Sequence, residues 1–254
     1  MIDFRTIKSK NVQKEISSVL FGKRILLSNF FYKVDTEVCD IFTGNNTVLI
    51  RVNEYDFYRT YVQTADLNEL VDILKTLDKN KYVINIPSKK TIDDWKRVFD
   101  KAGFKNIGIY NRYYTTKVKY RKSGAGAFAE PMDLTVVDSL LKGYFSLYTD
   151  YLPTEKQLQS MIENKQVLVS RNDNNEIKGV LIYTLEGKKC YFNAWIDFSG
   201  NGLFLLYKGY NIAAEHGIDY VYFWVNSTNT DVINLHKMMG AAPDGLVDYT
   251  YINI

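Results

Sequence analysis

The chain has 254 residues, 46% of them hydrophobic and 24% charged, the balance of a folded globular protein and not of a disordered or fibrous one. That length holds one large domain or two of ordinary size. A formal net charge of +3 is too small to point to nucleic acid, and no apolar run approaches the length of a membrane span.

From the N-terminus, Ile7, Val12, Ile16, Val19 and Leu20 recur at helical spacing and predict a helix over Ile7–Leu20. Glu37–Phe42, Thr47–Asn53 and Phe57–Thr64 predict strands, the first two joined at Gly44-Asn45-Asn46. Asp66 is placed to cap a helix whose apolar face is Leu67, Leu70, Val71, Ile73, Leu74 and Leu77. A buried strand over Tyr82–Ile86 precedes a helix over Thr91–Ala102 that stops at Gly103. Lys105–Tyr120, rich in Tyr and Thr, predicts one or two further strands.

The small residues at 122–127 (Lys122-Ser123-Gly124-Ala125-Gly126-Ala127) read as a flexible linker. Beyond it, Leu134–Tyr148 and Thr154–Asn164 are helical, and Gln166–Ser170 and Glu176–Leu185 are strands joined at Asn172-Asp173-Asn174-Asn175. Next come a strand over Cys190–Ile196, a glycine-bearing loop and a helix over Leu203–His216. A strand over Asp219–Val225, a short helix stopping at Gly240 and a strand over Asp248–Ile254 complete the chain. Cys39 and Cys190 are the two cysteines. Far apart in strand-like runs, they exclude a disulfide framework and a metal-ligand spacing. Met1-Ile2-Asp3-Phe4-Arg5 lacks the pattern of a signal peptide, so a cytoplasmic protein that does not span a membrane is expected.

The chain also matches itself. Adding 137 places Leu67 on Phe204, Leu70 on Tyr207, Tyr82–Ile86 on Asp219–Phe223, Gly103 on Gly240 and Tyr114 on Tyr251, without a gap. Two copies of one α/β unit are therefore expected, residues 1–121 and 128–254, with 122–127 between them.

In the second copy, Asn229-x-x-Val232-x-x-Leu235-His236-x-x-x-Gly240 follows Asp197-x-x-Gly200-x-Gly202. With the element order around them, these spacings resemble those of the Gcn5-related N-acyltransferases, the GNAT superfamily. The departures are Val232 for Ala, His236 for Tyr, Ala241 for the Phe after the glycine, and Asp197 for a leading cation or amide. The resemblance implies an α/β (α+β mixed-sheet) fold of two tandem GNAT-like domains. The first is degenerate, because the same shift puts Gln63 and Ala65 where Gly200 and Gly202 stand.

The function so implied is transfer of an acyl group, most simply acetyl, from acyl-CoA directly to a small-molecule amine. No metal and no nucleic acid take part, and the protein is a monomer or homodimer. The pantetheine arm is expected along Asn193, Ala194 and Trp195. Independently of the family, glycines at a helix start let backbone N–H groups approach an anion, although a merely tight strand-to-helix turn would use the same residues; the resemblance implies that Gly200, Asn201 and Gly202 hold the diphosphate. Asn226 and Asn229 are placed for the cofactor as well, and Asn229 equally as a helix cap. His236 stands where the resemblance places the acid for the departing thiolate. Glu186, with Asp197 and Asp248 as rivals, is the candidate base. Trp224 and Tyr251 are expected to line the acceptor, and His216 suits a helix C-terminus. Two alternatives remain. The run Leu206–Gly217 is similar to a helix of the FemABX aminoacyl transferases, which would use aminoacyl-tRNA. The missing loop cation and tyrosine would also suit a non-catalytic GNAT-like binding module.

Overall fold

The computed structural model describes residues 2–30, 34, 36–198 and 202–253. In chain order the elements are β1 (Arg5–Lys8), α1 (Val12–Leu20), β2 (Leu27–Ser28), β3 (Val38–Thr43), β4 (Thr47–Glu54), β5 (Phe57–Thr64), α2 (Leu67–Lys75), β6 (Lys81–Ser88), α3 (Asp93–Ala102) and β7 (Phe104–Thr115). They continue with β8 (Ala127–Phe128), α4 (Leu134–Tyr144), α5 (Glu155–Glu163), β9 (Val167–Arg171), β10 (Ile177–Glu186), β11 (Lys189–Asp197), α6 (Gly202–Glu215), β12 (Tyr220–Asn226), α7 (Thr230–Met238) and β13 (Ala242–Asn253).

Most element ends follow from local chemistry. Asp66 caps α2 by accepting from the backbone N–H groups of Asn68 and Glu69. Thr154 and Gln157 close a capping box at the start of α5. Gly103 takes the left-handed conformation that ends α3. One end differs: Ile7, expected in the first helix, instead pairs with Cys39 as part of β1, so the helix begins only at Val12.

The chain divides into two compact units, Met1–Ile109 with Leu246–Ile254, and Tyr110–Gly245. In the first, strands run in the order β1-β3-β4-β5-β6-β13. Leu70, Leu74, Val98 and Phe99 of α2 and α3 pack on one face, and Val12, Ile16 and Leu20 of α1 on the other. In the second, the order is β7-β12-β11-β10-β9-β8. Leu205, Leu206, Tyr210 and Ala213 of α6 cover Leu181, Phe192, Val221 and Phe223. Val137, Leu141, Leu158 and Ile162 of α4 and α5 cover the alternate residues Val180 and Ile182.

The internal match is present in the elements. Adding 137 to Asp93–Ala102 gives 230–239, where α7 runs Thr230–Met238, and both copies then turn at a left-handed glycine, Gly103 at φ 81° and Gly240 at φ 90°. The preceding hairpins match at 132 instead, Glu54 and Phe57 falling on Glu186 and Lys189. Five additional residues therefore lie between the hairpin and α7 in the second unit, where α6 has 14 residues against nine in α2.

The unit boundary does not fall at 122–127. It falls inside the last strand of each copy: Tyr110–Thr115 of β7 pair with β12, whereas Val247–Ile252 of β13 pair with β6. Each repeat copy thus contributes the end of its last strand to the other unit. The expected linker is fastened to α6. The buried Asn211 accepts from the Arg121 N–H (2.6 Å) and donates to its carbonyl (2.9 Å), and the Ala125 N–H donates to the Phe204 carbonyl (3.0 Å). Gly124 lies against the helix so closely that a Cβ would stand 2.5 Å from Asn211 Nδ2 and 3.0 Å from the Lys208 backbone nitrogen. Gly124→Ala should therefore cost about 1–3 kcal/mol of stability in a denaturant titration; a free linker would show no loss.

Candidate functional site

The second unit is organised by where β11 leaves β12. The two pair in parallel from Lys189–Tyr220 to Phe192–Phe223 and no further, although β11 stays paired with β10 to Asp197 and β12 stays paired with β7 to Asn226. The parting coincides with a bulge. Ile182 faces Ala194 and Tyr183 faces Phe192, so Asn193 is the extra residue. One extra residue reverses the side-chain parity of all that follow. Cys190 and Phe192 point to the α6 face, whereas Ala194 and Ile196 point to the α4–α5 face, and Trp195 takes the α6 side. Beyond Phe192 the β11 edge that faced β12 is left without a strand neighbour among the described residues. This places Asn193, Ala194 and Trp195 together at the opening, with the Asn193 amide oxygen accepting from Thr184 Oγ1 (3.0 Å).

Gly200 and Asn201 lie outside the described residues; the helix beyond them begins at Gly202. Asp197 Oδ2 accepts from Ser170 Oγ (3.0 Å) across Gly179, where a Cβ would come within 2.5 Å of that oxygen. The row Ser170–Gly179–Asp197 is in register across three strands, so a side chain at 179 would displace the carboxylate.

The two catalytic candidates sit differently. Glu186 pairs with Lys189 at the hairpin end of β11. At about 3.3 Å per residue that is roughly 10 Å from Phe192, where β11 and β12 part, and its charge reaches Tyr222. His236 is 3% exposed and its ring lies 3.8 Å from that of Phe223 and 5.9 Å from that of Trp195. Burial pushes its pKa down to about 4, and among the described residues its Nδ1 has no hydrogen-bond partner. A neutral, enclosed imidazole does not supply a proton to a thiolate near neutral pH.

Asn226 and Asn229 both reach the end of β12. The Asn226 oxygen accepts from the Thr228 N–H (3.0 Å) and hydroxyl (2.8 Å), and Asn229 caps α7 by accepting from the Val232 N–H (3.2 Å). Trp224 is half-buried on the face opposite Phe223 and Val225, with the Arg112 guanidinium 5.8 Å from its ring. Tyr251 belongs elsewhere: it stacks on Phe99 at 4.3 Å in the core of the first unit. Asp248, the other rival base, is also in that unit, bonded by Asn85. His216 Nδ1 lies 2.8 Å from the Ile212 carbonyl at the end of α6, as its helix-terminal position implies.

One cluster at this opening is not anticipated by the sequence. On β7, Tyr110 lies directly opposite Asn226. Its hydroxyl donates to Asp150 Oδ2 (3.1 Å), stands 3.1 Å from Thr149 Oγ1 and is bonded by the Asn226 side chain. The same carboxylate oxygen accepts from the Ser146 N–H (3.0 Å) and the Thr149 hydroxyl (3.1 Å). Burial raises the Asp150 pKa, and those three donors hold it part of the way back. Burial first, then the charge of Asp150, raises that of Tyr110.

The first unit has the same parting without the opening. β5 and β6 pair in parallel from Phe57–Lys81 to Arg59–Val83 and then separate. There β2 takes the vacated edge of β5, Leu27 on Thr64 and Ser28 on Gln63. Asn29 bridges the gap: its oxygen accepts from the Val62 N–H (2.6 Å), and its nitrogen donates to the carbonyls of Thr60 (3.1 Å) on β5 and Asn85 (3.0 Å) on β6. No bulge interrupts β4–β5.

No protein-family model matches the sequence, and a search of curated proteins finds no match. Solved structures do match over nearly the whole chain. A Gcn5-related N-acetyltransferase from Sphaerobacter thermophilus aligns over 96% of this chain and 84% of its own, at TM-score 0.58 and 11% identity. A GNAT-family acetyltransferase from Colwellia psychrerythraea aligns over 99% of both chains at 0.57 and 12%. The glucosamine N-acetyltransferase region of a fungal multidomain β-N-acetylglucosaminidase aligns over 99% of this chain and 38% of that one, at 0.61 and 8%. The chain has the GNAT fold. In this chain Asn193–Asp197 lie beyond the last β11–β12 pair.

Proposed function

We propose that the C-terminal unit is an acyl-CoA-dependent N-acyltransferase, most simply an N-acetyltransferase, that passes the acyl group directly to a small-molecule amine. In this reading the N-terminal unit is a degenerate copy that shapes the protein without binding the donor. The observation that carries it is the parting of β11 from β12 at Phe192–Phe223, with Asn193 bulged at that point and a helix start beyond. An extended chain bearing amides, such as pantetheine, can pair with an open strand edge as an added strand would. The helix start beyond offers unpaired N–H groups and a favourable dipole to a diphosphate. Backbone N–H groups around Ala194 are suited to the oxygen on which charge develops as the thioester is attacked. The filled gap at Asn29 is why the first unit is not assigned a donor site. A cytoplasmic location fits the donor, and among the described residues no helix is long and apolar enough to cross a membrane.

Calorimetric titration of the whole chain with acetyl-CoA tests this. Wild-type protein should bind, and Gly202→Glu, which sets a carboxylate at the helix start, should lose binding by at least about 100-fold, given two like charges in contact. Binding that survives the substitution, or none in the wild type, removes the reading.

A further inference from the structure

A carboxylate, Asp150, stands at the end of an aromatic surface of the second unit. Directly opposite residues of an antiparallel pair share a face, so Tyr110 and Asn226, Arg112 and Trp224, and Tyr114 and Tyr222 form one surface of the β7–β12 pair. Tyr191 of β11 extends it, stacked on Tyr222 at 5.0 Å. Arg112 is neutralised by Asp244 (2.6 Å from Nε), so the surface is aromatic and hydroxylated and not cationic. Asp150 stands at its end, fixed through Tyr110 beside Asn226, three residues past the parting of β11 and β12, roughly 10 Å along the strand. Among the described residues the three hydrogen bonds to its side chain all fall on Oδ2, and none falls on Oδ1. A half-buried carboxylate with one oxygen fully held and the other unengaged is built to meet a cation.

Resting on the acyltransferase reading, we propose that Asp150 receives the acceptor's ammonium group and removes its proton, that Tyr110 positions the carboxylate, and that the acceptor is therefore a cationic primary amine seated over Trp224 and Tyr222. The steps balance. The ammonium gives one proton to Asp150, and the freed nitrogen lone pair forms the C–N bond at the thioester carbon as the C=O pair moves onto oxygen. The oxyanion re-forms its double bond and breaks the C–S bond, whose electron pair leaves with sulfur. The second nitrogen proton goes to the thiolate through solvent, and Asp150 returns its proton to bulk water. A carboxylate whose ionised form is disfavoured by burial suits this task better than a fully hydrated one.

Asp150→Asn keeps the shape and removes the base. Acetyl-CoA should bind this variant with the wild-type Kd, while thiol release from acetyl-CoA with glucosamine or cyclohexylamine as acceptor falls by about 100-fold or more. Asp150→Glu should recover part of that loss. In a second arm without turnover, cyclohexylammonium should raise the unfolding temperature of the wild type and not of Asp150→Asn. Cyclohexanol, its neutral counterpart, should raise neither. Equal turnover or equal ammonium stabilisation in wild type and Asp150→Asn overturns the assignment. So does a wild type that no amine probe stabilises. Failure of wild-type protein to bind acetyl-CoA would instead strike the acyltransferase reading, and the ammonium arm would still decide the fate of Asp150.

Discussion

Replacing Arg59 by methionine should destabilise the N-terminal unit by about 3–5 kcal/mol, the range seen when one partner of a buried ionic network is removed. The guanidinium is 2% exposed. Its Nε donates to Glu54 (2.8 Å) and its Nη1 to Asn85 Oδ1 (2.5 Å), and Asn85 in turn donates to Asp248 (3.0 Å) and Thr250 (2.9 Å). The network runs from β5 through β6 to β13 at the point where β5 and β6 part. Methionine fills much of the volume but leaves the Asn85 oxygen without this donor and the Asp248 carboxylate without the nearby positive charge that stabilises it. Chemical denaturation followed by Trp95, buried in this unit, reads the effect. Asp248→Asn in the same background should return a large part of it, because the two changes act on one network. Full additivity of the two single effects would show that Arg59 and Asp248 are not coupled.

The second large effect is a pair of opposing pH limbs. Burial pushes Asp248 up to about 6 from 3.8. The folded state therefore holds a proton that the unfolded state has lost: the stabilisation is complete below 3.8 and is lost as pH rises through 6. Burial pushes His236 down from 6.5 to about 4, so the unfolded state binds a proton that the folded state refuses. That stability is complete above 6.5 and is lost as pH falls toward 4. Each limb amounts to roughly 3 kcal/mol at 1.36 kcal/mol per pKa unit. Acidification across this window should therefore tighten the N-terminal unit and loosen the C-terminal one. Hydrogen exchange resolved by peptide separates them: protection should rise around Asn85 and fall around Phe223 on going from pH 7 to pH 4. His236→Phe should abolish the acid-side loss, and Asp248→Asn should add stability above pH 6 and none below 4. Parallel changes in both units would contradict the assignment of the two groups.

What could be read from the sequence was what repeats or terminates. Asp66, Gly103, Thr154 and Asn229 announce element ends through their own hydrogen bonds or backbone preference, and the shift of 137 found α3 and α7 to within a residue. The bulge at Asn193 was silent for a definite reason. Both faces of the sheet are covered, so Cys190, Phe192, Ala194 and Ile196 are all buried and the alternation continues unbroken while the faces exchange. Asp150 was missed because it sits in an irregular segment and draws its meaning from Tyr110, forty residues away in sequence. Tyr251 followed its own repeat copy on paper, and nothing local marks that its half of β13 pairs with β6.

That exchange of strand ends bears on how the molecule is made. β6 is buried along most of its length and borders β13 over Val83–Ser88, yet nearly 150 residues separate Phe104, where the first copy's last strand begins, from Ile252. At about 5–20 residues per second of synthesis, the N-terminal unit waits on the order of ten seconds for its final strand. Until then β6 presents an unpaired edge of the kind that recruits other strands. A nascent chain of this protein should accordingly depend on a holding chaperone until β13 has been made, and any product that stops before β13 keeps the edge open for good.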